Sequence, residues 1–147
     1  MAGQRRFIAQ MKEKIKASPR KVIYISGPMT GMPREDYMAI FHKAEMLLGA
    51  AGFQTVNPTR FAPCRWPWLF KILGYRLTLL YDLWQLSKCQ FIYKMPGWRE
   101  SKGAQIESCW AFHFGLWTLP TKMRETIDKK MCKYIERLKN DRKQKKE

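Results

Sequence analysis

Apolar residues change their spacing along the chain, and each spacing predicts a different element. Residues 21–26 hold the uninterrupted apolar run V-I-Y-I, which is typical of a strand buried on both faces. After Pro33, apolar side chains recur every three or four positions up to Gly49, which predicts a helix. A second short strand is predicted at residues 53–56, and the Asn-Pro pair at 57–58 ends it.

The second half of the chain repeats this alternation. Residues 4–16 and the stretch from 121 to about 140 add amphipathic helices at the two ends. The apolar face of the closing helix holds Met123, Ile127, Met131, Tyr134, Ile135 and Leu138. Between the first half and that helix we predict a loop from residue 59, a helix at 68–87, a strand at 89–93, a helix at 104–116 and a short strand at 117–119.

Strands that alternate with helices favour a parallel sheet with right-handed crossovers. Ligands of such sheets bind beyond the carboxyl ends of the strands. Residues 26–31 and 95–103 each follow a predicted strand, so we expect these two loops to share one rim of the sheet.

The composition adds limits on class and compartment. A chain of 147 residues, 46% of them hydrophobic, is long enough for one globular domain with a core. Residues 1–20 lack the apolar segment of a secretory signal. The four cysteines lie more than 19 residues apart, without C-x-x-C spacing. We therefore predict a cytoplasmic protein with reduced thiols, no metal site and no cofactor.

The positive charge is concentrated at the ends of the chain. Of a net charge of +16, three quarters lies in residues 1–21 and 122–147. Basic ends usually form solvated helices or tails, but they can also give weak, salt-sensitive attraction to nucleic acid or anionic surfaces. Residues 59–81 contain tryptophans and prolines, and all of their charged residues are basic. Binding to nucleic acid or to an anionic surface therefore remains an alternative.

The loop after the first strand is a candidate ligand loop. Gly27 and Gly31 flank P-M-T, and glycines let backbone N–H groups approach a ligand closely. The helix start that follows favours an anion. The loop lacks the Lys-Ser/Thr of a phosphate-binding P-loop and the third glycine of a dinucleotide fingerprint, so the loop alone favours a purely structural turn over a ligand loop.

Two acidic residues stand in apolar surroundings. Glu107 lies about one turn into the helix that follows Gly103, and Asp82 lies in L-L-Y-D-L-W-Q-L. A buried carboxylate is costly unless it has a partner or a role, whereas either residue is unremarkable on a solvated helix face. Tyr24, in the middle of the first strand, is either a core tyrosine or a polar group of a site.

Three motifs in order resemble the nucleoside 2-deoxyribosyltransferase superfamily over about residues 21–119. They are Y-I-S-G-P-M-T-G, D-L-W-Q-L and P-G-W-R-E-S-K-G-A-Q-I-E. The likeness is greatest to an uncharacterised branch often associated with phages and prophages. The superfamily also includes the 2′-deoxynucleoside 5′-monophosphate N-hydrolases.

With the alternation of elements, this resemblance predicts an α/β protein. We expect a flavodoxin- or Rossmann-like three-layer sandwich with a four- to five-stranded parallel sheet and extra basic terminal helices. The expected division is a basic arm at residues 1–20, the α/β domain at 21–120 and a basic helix and tail at 121–147.

The resemblance also implies an activity, namely cleavage or transfer at the N-glycosidic bond of a 2′-deoxynucleoside or its 5′-monophosphate. Glu107 matches the nucleophile that forms a covalent sugar ester, Tyr24 the group that orients it, and Asp82 the acid near the leaving base. The sugar 5′ end or its phosphate would be held by Gly27, Pro28, Met29, Thr30, Gly31, Ser101 and Gly103. Arg34, which matches no family position strictly, could supply charge for the phosphate.

Departures from the family pattern leave other functions open. Gln90 stands where relatives often have Asp, and Thr30 stands where the monophosphate hydrolases have Arg. Both favour, as an alternative, a non-catalytic nucleotide-binding module. A third hypothesis is a basic adaptor for nucleic acid or a membrane surface. By analogy with the family we also expect a homodimer or higher homo-oligomer, with an interface on the apolar faces of residues 68–86 and 123–138.

Overall fold

A computed structural model describes residues 21–29, 31–60 and 67–145, with the backbone alone at 67, 69–73 and 75. Two 3-10 turns, Pro58–Arg60 and Trp98–Glu100, lie between the longer elements. Those elements are β1 (Val22–Ser26), α1 (Arg34–Ala50), β2 (Gln54–Val56), α2 (Pro67–Ser87), β3 (Phe91–Lys94), α3 (Lys102–His113), β4 (Trp117–Thr118) and α4 (Thr121–Gln144).

The four strands form one parallel sheet in the order β2-β1-β3-β4. This order is that of flavodoxin-like sheets, and it confirms the predicted α/β fold. Since β1 and β3 are neighbours, the loops that follow them begin at the same edge. The Met95 N–H donates to the Ser26 carbonyl at 2.8 Å, so the predicted common rim is confirmed where the structure describes it.

Alternation along β1 divides the core into two layers. Ile23 and Ile25 face α1 and α4, with which they form the larger apolar cluster. Tyr24 faces the opposite side and packs with Leu86 of α2 and Ala111 of α3. Helices therefore cover both faces of the sheet, as in a three-layer sandwich.

The closing helix α4 is a part of this core. Ile127 and Met131 are buried in the larger cluster, and the rest of the predicted apolar face packs against it. The helix runs to Gln144, about four residues beyond the predicted end. A salt bridge of 2.5 Å between Arg142 Nε and Asp36 Oδ2 ties this last turn to α1, which the local sequence does not reveal.

The helix predicted at residues 68–87 is interrupted. Gly74 has φ 74° and ψ 163°, a conformation that favours glycine and breaks the helical hydrogen-bond ladder. The Thr78 hydroxyl donates to the Gly74 carbonyl at 3.1 Å at the start of the second segment. The helix predicted at 4–16 and the basic arm at 1–20 lie outside the described residues.

Within the described ranges, no helix has both the length and the apolarity needed to cross a lipid bilayer.

Candidate active site

The centre of the candidate site is a buried carboxylate bound by two hydroxyl groups. Glu107 is only 4% exposed. The Tyr24 hydroxyl donates to its Oε1 at 2.8 Å, and the Ser26 hydroxyl donates to its Oε2 at 2.5 Å. Tyr24 and Ser26 are both fully buried. Each carboxylate oxygen therefore has a donor of its own, and the two donors fix the plane of the group.

Local structure explains how these three side chains meet. Tyr24 and Ser26 are two positions apart on β1, so both point to the same face of the sheet. On α3, which packs on that face, Ala104, Glu107 and Ala111 form the buried stripe at helical spacing. The small alanines on either side of Glu107 let the helix lie close to the strand.

Burial and hydrogen bonding act in opposite directions on Glu107. The pKa of its carboxyl is raised from 4.5 to about 7, because burial raises it by more than the hydrogen bonds from Ser26 and Tyr24 lower it. The pKa of Tyr24 is raised well above 10 by burial and by the charge of Glu107, so the hydroxyl remains a donor. Near neutral pH a substantial fraction of Glu107 is ionised, in a pocket that water scarcely reaches.

Asp82 lies near Glu107 and Tyr24, on the inner face of α2. It shares the buried stripe of that helix with Thr78 and Leu86 and is 5% exposed. Its Oδ1 atom is buried and has no hydrogen-bond partner among the described residues. Burial and the nearby charge of Glu107 raise the pKa of Asp82 from 3.8 to about 8. Asp82 is therefore largely protonated at neutral pH.

The two carboxyl groups are thus set for different tasks. Glu107 is the better nucleophile or base, because hydroxyl donors stabilise its charge. Asp82 is the better acid, because burial and the charge of Glu107 raise its pKa to about 8 and so keep it protonated. Glycosidic bond cleavage uses a pair of carboxyl groups of this kind, in which the environment keeps one ionised and the other protonated.

The loop after β1 is shaped by packing as well as by conformation. Gly27 is buried, and a Cβ there would lie 2.2 Å from Met95 Cε. Pro28 is half-buried and approaches Gly97 of the neighbouring loop, while Met29 packs against the larger core cluster. Gly31 is exposed and has the positive φ of 83° that favours glycine.

The remaining predicted ligand residues occupy the two helix starts. Ser101 is buried as the N-cap of α3, where its Oγ accepts from the Ala104 N–H at 3.4 Å. Gly103 follows inside the first turn and is half-buried, and Arg34 is the exposed first residue of α1. Thr30 lies outside the described residues. The structure therefore brings Tyr24, Asp82 and Glu107 together, and its contacts leave the roles of the loop residues as predictions.

Ser26 is the residue that sequence reasoning missed. It was treated as the end of a strand and the start of a loop, although its hydroxyl makes the shorter of the two hydrogen bonds to Glu107. The available signal was the two-residue spacing from Tyr24 inside an otherwise apolar strand. A polar residue on the same face as a candidate site tyrosine is placed to reach the same partner.

The described cysteines and possible metal ligands do not contribute to this site. Burial raises the pKa of the Cys89 thiol to about 12, which makes it a poor nucleophile. Cys109 and Cys132 are exposed and free. No group of three or more His, Cys, Asp or Glu in the described part of the chain is arranged to hold a metal ion.

Comparison with known proteins identifies the family of the chain but not its function. Residues 21–118 match the model of DUF4406, a domain of unknown function, and the chain belongs to that family. The matched segment contains Tyr24, Ser26, Asp82 and Glu107. No curated protein and no solved structure matches the chain.

Proposed function

We propose that the protein cleaves or transfers at the N-glycosidic bond of a 2′-deoxynucleoside or its 5′-monophosphate. The observation that carries the proposal is the Glu107 carboxylate, bound by the Tyr24 and Ser26 hydroxyls beside the protonated Asp82. The three motifs shared with nucleoside 2-deoxyribosyltransferases support the same substrate class.

The first chemical step forms a covalent sugar–enzyme ester. An oxygen of Glu107 attacks C1′ of the deoxyribose, and the bond from C1′ to the base nitrogen breaks. The electron pair of that bond leaves with the base, which takes the proton of Asp82. Tyr24 and Ser26 keep the carboxylate in the attacking orientation, which lowers the entropic part of the barrier.

The second step releases the sugar. Water or a second base attacks C1′ from the face that the first base left, and the bond from C1′ to the Glu107 oxygen breaks. The proton that the attacking group loses returns to Asp82. Two displacements at the same carbon retain the anomeric configuration of the sugar.

We also propose that the active form is a homo-oligomer. On the segment of α2 after Gly74, Thr78 and Asp82 are buried while four large apolar or aromatic residues are exposed. Exposed apolar surface of this kind marks an interaction site, and a second copy would also cover the outer side of the helix that carries Asp82. The four exposed residues are Leu77, Leu80, Tyr81 and Trp84.

Incubation with a panel of 2′-deoxynucleosides and their 5′-monophosphates tests the proposal. Chromatography should detect free base with the wild type and none above background with Glu107→Gln. Glu125→Gln, which changes an exposed glutamate of α4, is the matched control and should retain activity. Tight binding without release of base across the panel would instead favour the non-catalytic nucleotide-binding module.

A further inference from the structure

A cavity of about 610 Å³ opens at the carboxyl ends of β3 and β4, where its wall residue Lys94 is the cross-strand neighbour of Ser26. Its walls are the loop at residues 95–100 on one side and the first half of α4 on the other. None of Tyr24, Ser26, Asp82 and Glu107 lines it. The volume lies in the range of pockets that bind small organic ligands, roughly 300–1,000 Å³.

Three basic side chains from three different elements line this cavity. They are Lys94 at the end of β3, Arg99 in the 3-10 turn and Arg124 on α4. None of the three forms a salt bridge with another described residue. Burial lowers the pKa of Lys94, and the charges of Arg124 and Arg99 lower it further. The three cations therefore repel one another, and no carboxylate offsets that effect on Lys94.

The two acidic groups of the cavity form no salt bridge with these cations. Asp128 accepts a hydrogen bond of 2.7 Å from the Tyr93 hydroxyl, which engages one carboxylate oxygen on the wall of the cavity. Glu100 is exposed at the rim. The lining therefore carries three cations against two carboxylates, and its net positive charge favours an anion.

Contacts with neutral groups hold the basic side chains in position. Lys94 Nζ lies 4.6 Å from the ring centroid of Trp98 and donates to Ser108 Oγ at 3.3 Å. The Arg99 guanidinium lies 5.5 Å from the same ring. The Gln105 side-chain amide donates to the Arg99 carbonyl, which anchors the turn to α3. These contacts favour the observed placement of Lys94 and Arg99, which reduces the entropic cost of binding.

We propose that this cavity is a second ligand site and binds a small phosphorylated organic molecule. Lys94, Arg99 and Arg124 would bind the phosphate, because three converging cations match its charge and number of acceptor oxygens. Pro96 and Trp98, both partly exposed, supply apolar wall for the organic part of the ligand. The proposal does not rest on the N-glycosidic reaction, since the cavity shares no lining residue with Tyr24, Ser26, Asp82 and Glu107.

Isothermal titration calorimetry with phenyl phosphate, and with inorganic phosphate for comparison, tests the assignment at fixed ionic strength. The wild type should bind phenyl phosphate more tightly than inorganic phosphate. Arg124→Gln should weaken phenyl phosphate binding by about tenfold or more, as expected for loss of a charge-assisted hydrogen bond. Lys129→Gln, an equal change of charge at an exposed position of α4 that does not line the cavity, should leave it unchanged.

Glu107→Gln separates this proposal from the proposed reaction. It should abolish release of base but keep phenyl phosphate affinity within about twofold, since Glu107 does not line the cavity. The proposal is overturned if the wild type does not bind phenyl phosphate, if Arg124→Gln binds it as tightly as the wild type, or if only Glu107→Gln weakens it. Equal affinity for phenyl phosphate and inorganic phosphate would show that the cavity does not bind the organic part of the ligand, which would overturn that part of the proposal.

Discussion

Ser26 and Glu107 are 81 positions apart in the sequence and are joined by a buried hydrogen bond of 2.5 Å. With the Tyr24 hydroxyl on the other oxygen, this bond stabilises the charged form of Glu107 against the effect of burial. The strand β1 thus supplies both groups that make a buried glutamate usable as a nucleophile.

Ser26→Ala should lower the activity and move its pH dependence. The serine lowers the pKa of Glu107, so its removal raises that pKa, and the acidic limb of the pH profile of kcat/KM should shift to higher pH. We expect kcat/KM at neutral pH to fall by roughly tenfold, the value of one hydrogen bond to a charged group. Ser87→Ala, at an exposed serine, is the control, and an unshifted acidic limb in Ser26→Ala would contradict the role of Ser26.

Asp82→Asn should make the protein more stable at pH 8 but not at pH 4. The pKa of Asp82 is raised from 3.8 to about 8 in the folded state, so above pH 4 the unfolded chain loses a proton that the folded chain keeps. Stability due to this group is therefore complete below about pH 4 and declines as the pH rises to about 8. The amide cannot ionise, so urea denaturation should show a gain at pH 8 on the order of a few kcal/mol.

Asp141→Asn is the control for this pH effect. It changes an exposed aspartate of α4 and should follow the wild type at both pH values. A wild type and an Asp82→Asn variant whose stabilities change in parallel between pH 4 and pH 8 would show that Asp82 is not protonated in the folded protein.

Gly27→Ala should destabilise the fold through Met95. The new Cβ would lie 2.2 Å from Met95 Cε and 3.2 Å from Met95 Cβ, and Met95 is fully buried. Overpacking of this kind costs about 1–3 kcal/mol in urea unfolding. Gly49→Ala, at an exposed helical position with nothing within 4 Å, should instead stabilise by roughly 0.5–1 kcal/mol.

A double-mutant cycle identifies the cause of that loss. In a Met95→Ala background, which removes the clashing Cε atom and keeps only the Cβ contact of 3.2 Å, Gly27→Ala should cost much less stability. An undiminished cost in that background would place the strain elsewhere in the loop.

Leu80→Asp should dissociate the homo-oligomer. Leu80 is 60% exposed in the apolar face of α2, and a charge there opposes burial against a second copy. Light scattering coupled to size-exclusion chromatography should give a multimer for the wild type and a monomer for the variant. Met46→Asp, at an exposed apolar residue of α1, should remain a multimer, and a monomeric wild type would contradict the proposal.

The fold could be predicted from the sequence because its signals are local. Apolar runs in β1 and β3, and helical spacing in α1 and α4, each lie within one element, and alternation of the elements then implies a parallel sheet. The break at Gly74 could not be predicted with the same certainty, since an isolated glycine is tolerated within a helix.

Only a part of the candidate site could be predicted from the sequence, because the burial of its residues depends on tertiary packing. The sequence shows that Glu107 and Asp82 have apolar neighbours, but whether each is buried depends on how α2 and α3 pack on the sheet. The cavity with Lys94, Arg99 and Arg124 was not predicted as a unit, because its residues converge only after β3 and α4 meet.

The most direct test of the central claim is mass spectrometry of the protein quenched during incubation with a 2′-deoxynucleoside or its 5′-monophosphate that it cleaves. We predict a mass increase equal to one deoxyribosyl group or its phosphate, located on the peptide that contains Glu107 and absent from Glu107→Gln. A sugar adduct on another residue, or release of base at the wild-type rate by Glu107→Gln, would contradict the account.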